Sequence, residues 1–199
     1  MPAINYATRE INLRVVYYGP GLGGKTSNLR ALHERVHARA RGRLIELMTE
    51  SDRTLFFDFM PLSLGSIRGF STRFHLYTVP GQIHYRASRA LILKIVDVVV
   101  FVADSQEMRR EANIESLSDL DVNLREHGYR PDAVPLVLQY NKRDCAEAMP
   151  RAQLDADLNH RGAAVYEAIA TRGIGVLETF EAAARLAVRE LRSGRHAAR

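Results

Sequence analysis

Gly19-Pro20-Gly21-Leu22-Gly23-Gly24-Lys25-Thr26 fits the spacing G-x-x-x-x-G-K-[ST], and its flanks give that spacing a structural context. The run before it, Ile11–Tyr18 (INLRVVYY), is β-branched and aromatic and predicts a strand. The segment after it, Lys25 to about Ala40, predicts a helix. Between the two, glycine backbone can curl its N–H groups around phosphate oxygens, and the helix N-terminus adds partial positive charge. Gly19, Gly21, Leu22, Gly23 and Gly24 would form that cradle, with Ser27 in the first helical turn. Lys25 would reach the β- and γ-phosphates, and the Thr26 hydroxyl would bind Mg²⁺.

Downstream, strands and helices alternate. Ser66–Gly69 with Arg73–Val79 (RFHLYTV) predicts a hairpin, and a helix follows from about Tyr85 to Lys94. Asp97–Ala103 (DVVVFVA) and Val134–Tyr140 (VPLVLQY) are continuous apolar strands of the kind buried on both faces of a parallel sheet. Asp104 and Ser105 offer N-cap oxygens to a helix from about Gln106 to His127, which Gly128 closes. Ala164–Ala170 predicts a last strand and Val176–Leu191 an amphipathic closing helix. The pattern predicts an α/β fold with a mostly parallel sheet of six to seven strands flanked by helices.

Composition narrows the class. The 199 residues are 46% hydrophobic and 26% charged, which suits one globular domain (1–193) with a basic tail (194–199). No apolar run approaches the roughly 18–20 residues that cross a bilayer, Met1–Glu10 lacks a signal-peptide core, and the lone Cys145 suits a reducing cytoplasm. The formal charge is +5, and it is uneven. Residues 30–43 and 185–199 each carry five arginines against one glutamate, leaving the rest at −3. No nucleic acid partner is expected, and the two stretches read as docking surfaces away from the base and switch motifs. Only three lysines accompany 25 arginines. Two of them, Lys25 and Lys142, occupy motif positions that call for a compact ammonium.

Asn141-Lys142-Arg143-Asp144 follows the second buried strand, about 115 residues after the glycine-rich turn. A carboxylate at Asp144 can accept both the N1–H and the 2-amino group of guanine, a donor pair that adenine lacks. Asn141 and the stem of Lys142 would hold the base and brace the phosphate loop. Ala170 and Thr171 would add backbone N–H contacts to the guanine carbonyl. GTP and GDP are thus the expected ligands.

Thr78-Val-Pro-Gly81-Gln82 stands where small GTPases carry Asp-x-x-Gly-Gln. Gly81 can sense the γ-phosphate and Gln82 can orient the attacking water, whereas Thr78 lacks the carboxylate that holds Mg²⁺ through water. Asp58 is the candidate to compensate. Asp104 imitates a metal-holding acid, but a helix N-cap is the reading adopted. Thr54 suits a switch residue closing over metal and phosphate. Arg53 beside it could place a guanidinium on the transferring phosphoryl group, or be one more solvated arginine.

GPGLGGKT (19–26), RTLFFDFMPLSLG (53–65), FHLYTVPGQ (74–82), VVVFVADSQ (98–106) and QYNKRD (139–144) together resemble the bacterial Ras-like GTPases of the MglA gliding-motility family. The resemblance covers nearly the whole chain, and the Thr78 departure is the family's own. It implies a Ras-like G domain of the P-loop class with an extra strand. It implies catalytic roles for Arg53 and Gln82, Thr54 as a switch I metal ligand, and a Gly21 that tolerates no side chain. It also implies a homodimeric roadblock-fold activator (MglB-like), polarity or motility effectors, and recruitment from the cytoplasm to cell poles. Gly23 departs from the bulkier residue, often Cys, expected there. No prenylation cysteine ends the chain, so no lipid anchor is expected. His33 and His37, spaced i, i+4, lack an evident third ligand and read as a solvated helix face. The expected activity is slow, partner-stimulated GTP hydrolysis; a nucleotide-locked scaffold with little turnover is the alternative.

Overall fold

Val15 and Tyr17 point to one face of the sheet and Val16 and Tyr18 to the other, all four buried. The same alternation separates Val98, Val100 and Val102 from Val99, Phe101 and Ala103. A sheet with two apolar faces has to be covered twice, and that requirement sets the architecture. The computed structural model describes residues 3–48, 54–80 and 86–193. In chain order they form β1 (Ala3–Asn5), β2 (Glu10–Tyr18), α1 (Lys25–Arg35), β3 (Ile45–Met48), β4 (Thr54–Ile67), β5 (Phe70–Thr78) and α2 (Arg86–Leu93). Then come β6 (Val98–Asp104), α3 (Arg110–Glu126), β7 (Leu136–Asn141), α4 (Arg151–Leu158), β8 (Ala164–Glu167) and α5 (Val176–Ser193).

The sheet runs β3-β4-β5-β2-β6-β7-β8. Its five strands from β5 to β8 pair parallel, whereas β3, β4 and β1 pair antiparallel. One core holds Leu29 and Leu32 of α1 with Phe180 and Ala183 of α5. The opposite core holds Leu93 of α2, Leu120 and Leu124 of α3, and Leu154 and Leu158 of α4. Phe180 meets Phe74 of β5 edge-on at 5.7 Å. Phe180→Ala empties that contact, and the expected loss is about 3–5 kcal/mol, read from the urea midpoint of unfolding.

The expected six to seven strands become eight among the described residues. The addition is β1, which pairs with Glu10–Asn12 on the edge of β2 that β6 covers only from Val15 onward. The hairpin is also longer than predicted. β4 runs for 14 residues and joins β5 through Arg68 (φ 50) and Gly69 (φ 79). Two successive positive φ values suit the twist of a two-residue hairpin turn. Helix α1 stops at Arg35 rather than near Ala40 because the next segment bonds to β4 instead. Ser63 N–H donates to the Ala40 carbonyl and Gly42 N–H to that of Pro61. The last strand ends at Glu167, and 170–172 form a single 3₁₀ turn.

Candidate functional site

The carboxyl ends of β2, β6 and β7 all feed one rim of the sheet, where loops after parallel strands gather binding residues. After β2 the chain bends through Gly19 (φ 141) and Gly24 (φ 97) before α1 begins at Lys25. A Cβ on Gly19 would lie 2.2 Å from the Val102 carbonyl, and one on Gly24 would lie 2.1 Å from Asn141 Nδ2. Both positions therefore need glycine for space as well as for φ. Gly23 is different: a Cβ there would stand 3.2 Å from two carbonyls, so the bulkier residue expected there fits with a small adjustment. Leu22 adopts φ 62 with its side chain mostly exposed, a strained conformation of the kind found at ligand clamps.

Lys25 is buried, and its Nζ donates to the carbonyls of Gly19 (2.9 Å) and Pro20 (2.7 Å). Burial pushes its ammonium down to about 7, with Asp58 opposing the shift and the Arg89 and Arg109 charges adding to it. One helical residue on, Thr26 Oγ1 donates to Asp58 Oδ2 at 2.6 Å. The same carboxylate oxygen accepts the Thr78 hydroxyl at 2.7 Å, and Thr78 Oγ1 accepts the Asp58 backbone N–H at 3.0 Å. Thr78 is thus the support of Asp58, and the antiparallel neighbour strand brings in the carboxylate missing from β5. Asp58 Oδ1 is buried with no hydrogen-bond partner, and burial raises the carboxyl above its ordinary range against the two hydroxyls.

At the other end of the rim, Asn141 joins two loops. Its Nδ2 donates to the Gly23 carbonyl at 2.8 Å, and its Oδ1 accepts the Ala170 N–H at 2.9 Å. Lys142 turns left-handed (φ 63) and sends Nζ to Asp104 Oδ2 at 2.6 Å. Asp144 is exposed, and Thr171 lies exposed in the adjacent turn.

Two expectations about this rim need correction. Asp104 keeps the capping role read for it, its Oδ1 accepting the Gln106 N–H at 3.2 Å, while its fully buried carboxylate also takes the Lys142 ammonium. Ser105 caps nothing, because its buried Oγ has no partner. The basic stretch 30–43 is not remote from the site either. Arg35 Nη2 donates to the Arg172 carbonyl beside Thr171, and Arg30 forms a two-pronged pair with Glu46 of β3.

The structure brings Gly19, Gly21, Leu22, Gly23, Gly24, Lys25, Thr26 and Ser27 together with Asn141, Lys142, Asp144, Ala170 and Thr171 on one rim. Thr54 begins β4, while Arg53, Gly81 and Gln82 lie outside the described residues, as does the tail 194–199. Sequence reading missed the buried Asn28–Gln139–Thr179 network behind the loop, in which Asn28 Nδ2 also donates to the Gly24 carbonyl. It also missed buried Arg89, which donates to the Pro80 carbonyl at 3.3 Å and pairs with Asp119 at 3.1 Å. A polar residue inside an otherwise apolar strand, Gln139 in LVLQYN, is the signal that could have found the first.

Residues 50–185 match the ADP-ribosylation factor family. The chain is also 58% identical over 194 residues to the mutual gliding-motility protein MglA of Myxococcus xanthus, covering 98% of this chain and 100% of that protein.

Proposed function

The chain belongs to the ADP-ribosylation factor family as a small GTPase of the MglA type, and on that premise we propose how its residues bind and hydrolyse GTP. The carrying observation is Asn141, which bonds the Gly23 carbonyl and the Ala170 N–H at once and so holds the base-reading and phosphate-reading loops at a fixed separation. Gly19 to Gly24 wrap the phosphates, Lys25 neutralises their β/γ end, and Ser27 lies in the first turn of α1 behind them. Asp144 accepts the two guanine donors, Lys142 lies along the base, and Ala170 and Thr171 border its carbonyl edge.

The Thr26–Asp58 pair fits Mg²⁺: a hard-oxygen donor set with one orphaned, buried carboxylate oxygen turned to no protein group. Thr26 would ligate the ion directly, Asp58 would hold its outer shell, and Thr54 would close over it. When bound, Mg²⁺ supplies charge that offsets the developing negative charge on the β- and γ-oxygens. By the resemblance, Gly81 would sense the γ-phosphate, Gln82 would orient the attacking water and Arg53 would stabilise the transferring group, roles of residues that lie outside the described ones. Asp58 in the position of the missing acid supports turnover over a nucleotide-locked scaffold.

Lys25 makes binding pH-dependent. A polyphosphate beside it restores the charge that burial removes, so the complex holds more protons than the free protein above pH 7. Binding of GDP at pH 8 should take up protons, and affinity should rise as pH falls toward about 7. Calorimetry in buffers of different ionisation enthalpy reads this directly; proton release would contradict it.

Similarity to a gliding-motility protein supports a role in motility; we extend the proposal to cell polarity, effectors at the poles and a roadblock-fold homodimer as activator. Single-turnover GTP hydrolysis with and without such a partner tests the enzyme. The expected result is a slow basal rate that the partner raises; no rate above background in either condition rejects hydrolysis.

A further inference from the structure

Arg109 lies in a 3₁₀ turn just before α3, 88 residues from the glycine-rich loop in sequence, yet its Nη2 donates to the Gly21 carbonyl at 2.8 Å. Its Nε stands 3.9 Å from Asp104 Oδ2, the oxygen that also receives Lys142 Nζ at 2.6 Å. One fully buried carboxylate therefore faces two cations, one leading to the guanine-reading segment and one to the phosphate loop. No peptide among the described residues is cis, so the Gly21 C=O and the Leu22 N–H point in opposite directions within their shared peptide plane. A guanidinium that holds this carbonyl from outside turns the Leu22 N–H the other way. It also polarises the peptide, which makes that N–H a better donor. Glycine-rich backbone is costly to order, about 1–2 kcal/mol per residue, so an external grip on one carbonyl removes freedom that a ligand would otherwise have to quench.

We infer that Arg109 is a positioning residue of the nucleotide site: it fixes the Gly21–Leu22 peptide with its N–H toward the β/γ end of the polyphosphate, and Asp104 ties it to Lys142. The base-reading and phosphate-reading halves are thereby set against one another through a single carboxylate. The guanidinium acts through the loop backbone and takes no part in bond making. Its side chain is 32% exposed, so its replacement leaves the core intact.

The test compares nucleotides that differ in phosphate number and base on full-length protein carrying Arg109→Ala or Arg109→Lys. Wild-type binding of GDP, measured first, checks the nucleotide reading on which this rests. Arg109→Ala is expected to speed release of fluorescent GDP about tenfold, the size of one lost charge-assisted hydrogen bond. Because GMP does not reach the β/γ end, competition should show the GDP:GMP affinity ratio falling by a similar factor. The GDP:IDP preference, set by Asp144, should stay at its wild-type value. Arg109→Lys keeps the charge and one donor and should recover most of the GDP:GMP ratio. A role confined to fold support would weaken GMP and GDP equally in both variants, and that result overturns the assignment. Unchanged GDP release in Arg109→Ala overturns it as well.

Discussion

Asp144→Asn lowers GTP affinity by about 100- to 1,000-fold in competition against a fluorescent guanine nucleotide. The substitution replaces a carboxylate proposed to accept two guanine donors by an amide with one acceptor and one donor. One hydrogen bond loses its charge and the other becomes a clash of N–H against N–H. Bonds to charged groups contribute about 1.5–3 kcal/mol each, and about 1.4 kcal/mol is tenfold in affinity. The same amide complements xanthine, which carries a carbonyl where guanine has its amino group, so XTP should bind the variant better than it binds wild type. Asp144 is exposed, and unfolding should shift by less than about 0.5 kcal/mol. Unchanged GTP binding would remove the base assignment and reopen the question of which nucleotide this site holds.

Asp58→Asn should loosen Mg²⁺ by about 10- to 100-fold, the usual consequence of losing an outer-shell partner. GDP release should then become nearly insensitive to added Mg²⁺, while wild-type release slows as Mg²⁺ is added. Stability should move the other way. Burial raises the Asp58 carboxyl above its ordinary range, so its charged form is held at a cost that Thr26 and Thr78 offset only in part. For an acid with a raised folded pKa, the penalty is absent at low pH and grows as pH rises through the carboxylate range. Asparagine keeps an oxygen for both hydroxyls and carries no charge to bury. In divalent-free buffer at pH 7 the variant should melt no earlier than wild type, and adding Mg²⁺ should then stabilise wild type alone. Equal Mg²⁺ dependence of GDP release in both proteins would take Asp58 out of the metal site.

The two outcomes differ in how far the sequence foretold them. Asn141, Lys142 and Asp144, the proposed base-reading residues, announce themselves because the segment is contiguous and leaves a buried strand directly. Asp58 could be named only as a candidate, since the predicted hairpin began at Ser66 and nothing showed that its first strand reaches back far enough to bring Asp58 to Thr78. The second partner of Asp104, Lys142, was hidden for the same reason. At the end of an apolar strand Asp104 resembles a metal-holding acid, and only its pairing in register with Asn141, which places Lys142 beside it, shows a buried charge matched by a neighbouring strand's cation. The basic stretch at 30–43 looked remote because nothing along the chain says that the end of α1 packs beside residues 170–172. The last residue of α1, Arg35, donates to the Arg172 carbonyl beside Thr171.

Local chemistry is legible in order along the chain: glycines where φ is positive and backbone approaches closely, a lysine and threonine at a helix start, apolar runs that must be buried on both sides. These determined the strand–loop–helix cradle, the parallel core and the guanine-reading segment. Tertiary structure alone decided which carboxylate supports Thr26, which cation Asp104 matches, and that Arg109 grips Gly21 across 88 residues. A buried charge has to find its partner in space, and the sheet order that supplies the partner is not written in the spacing of the residues.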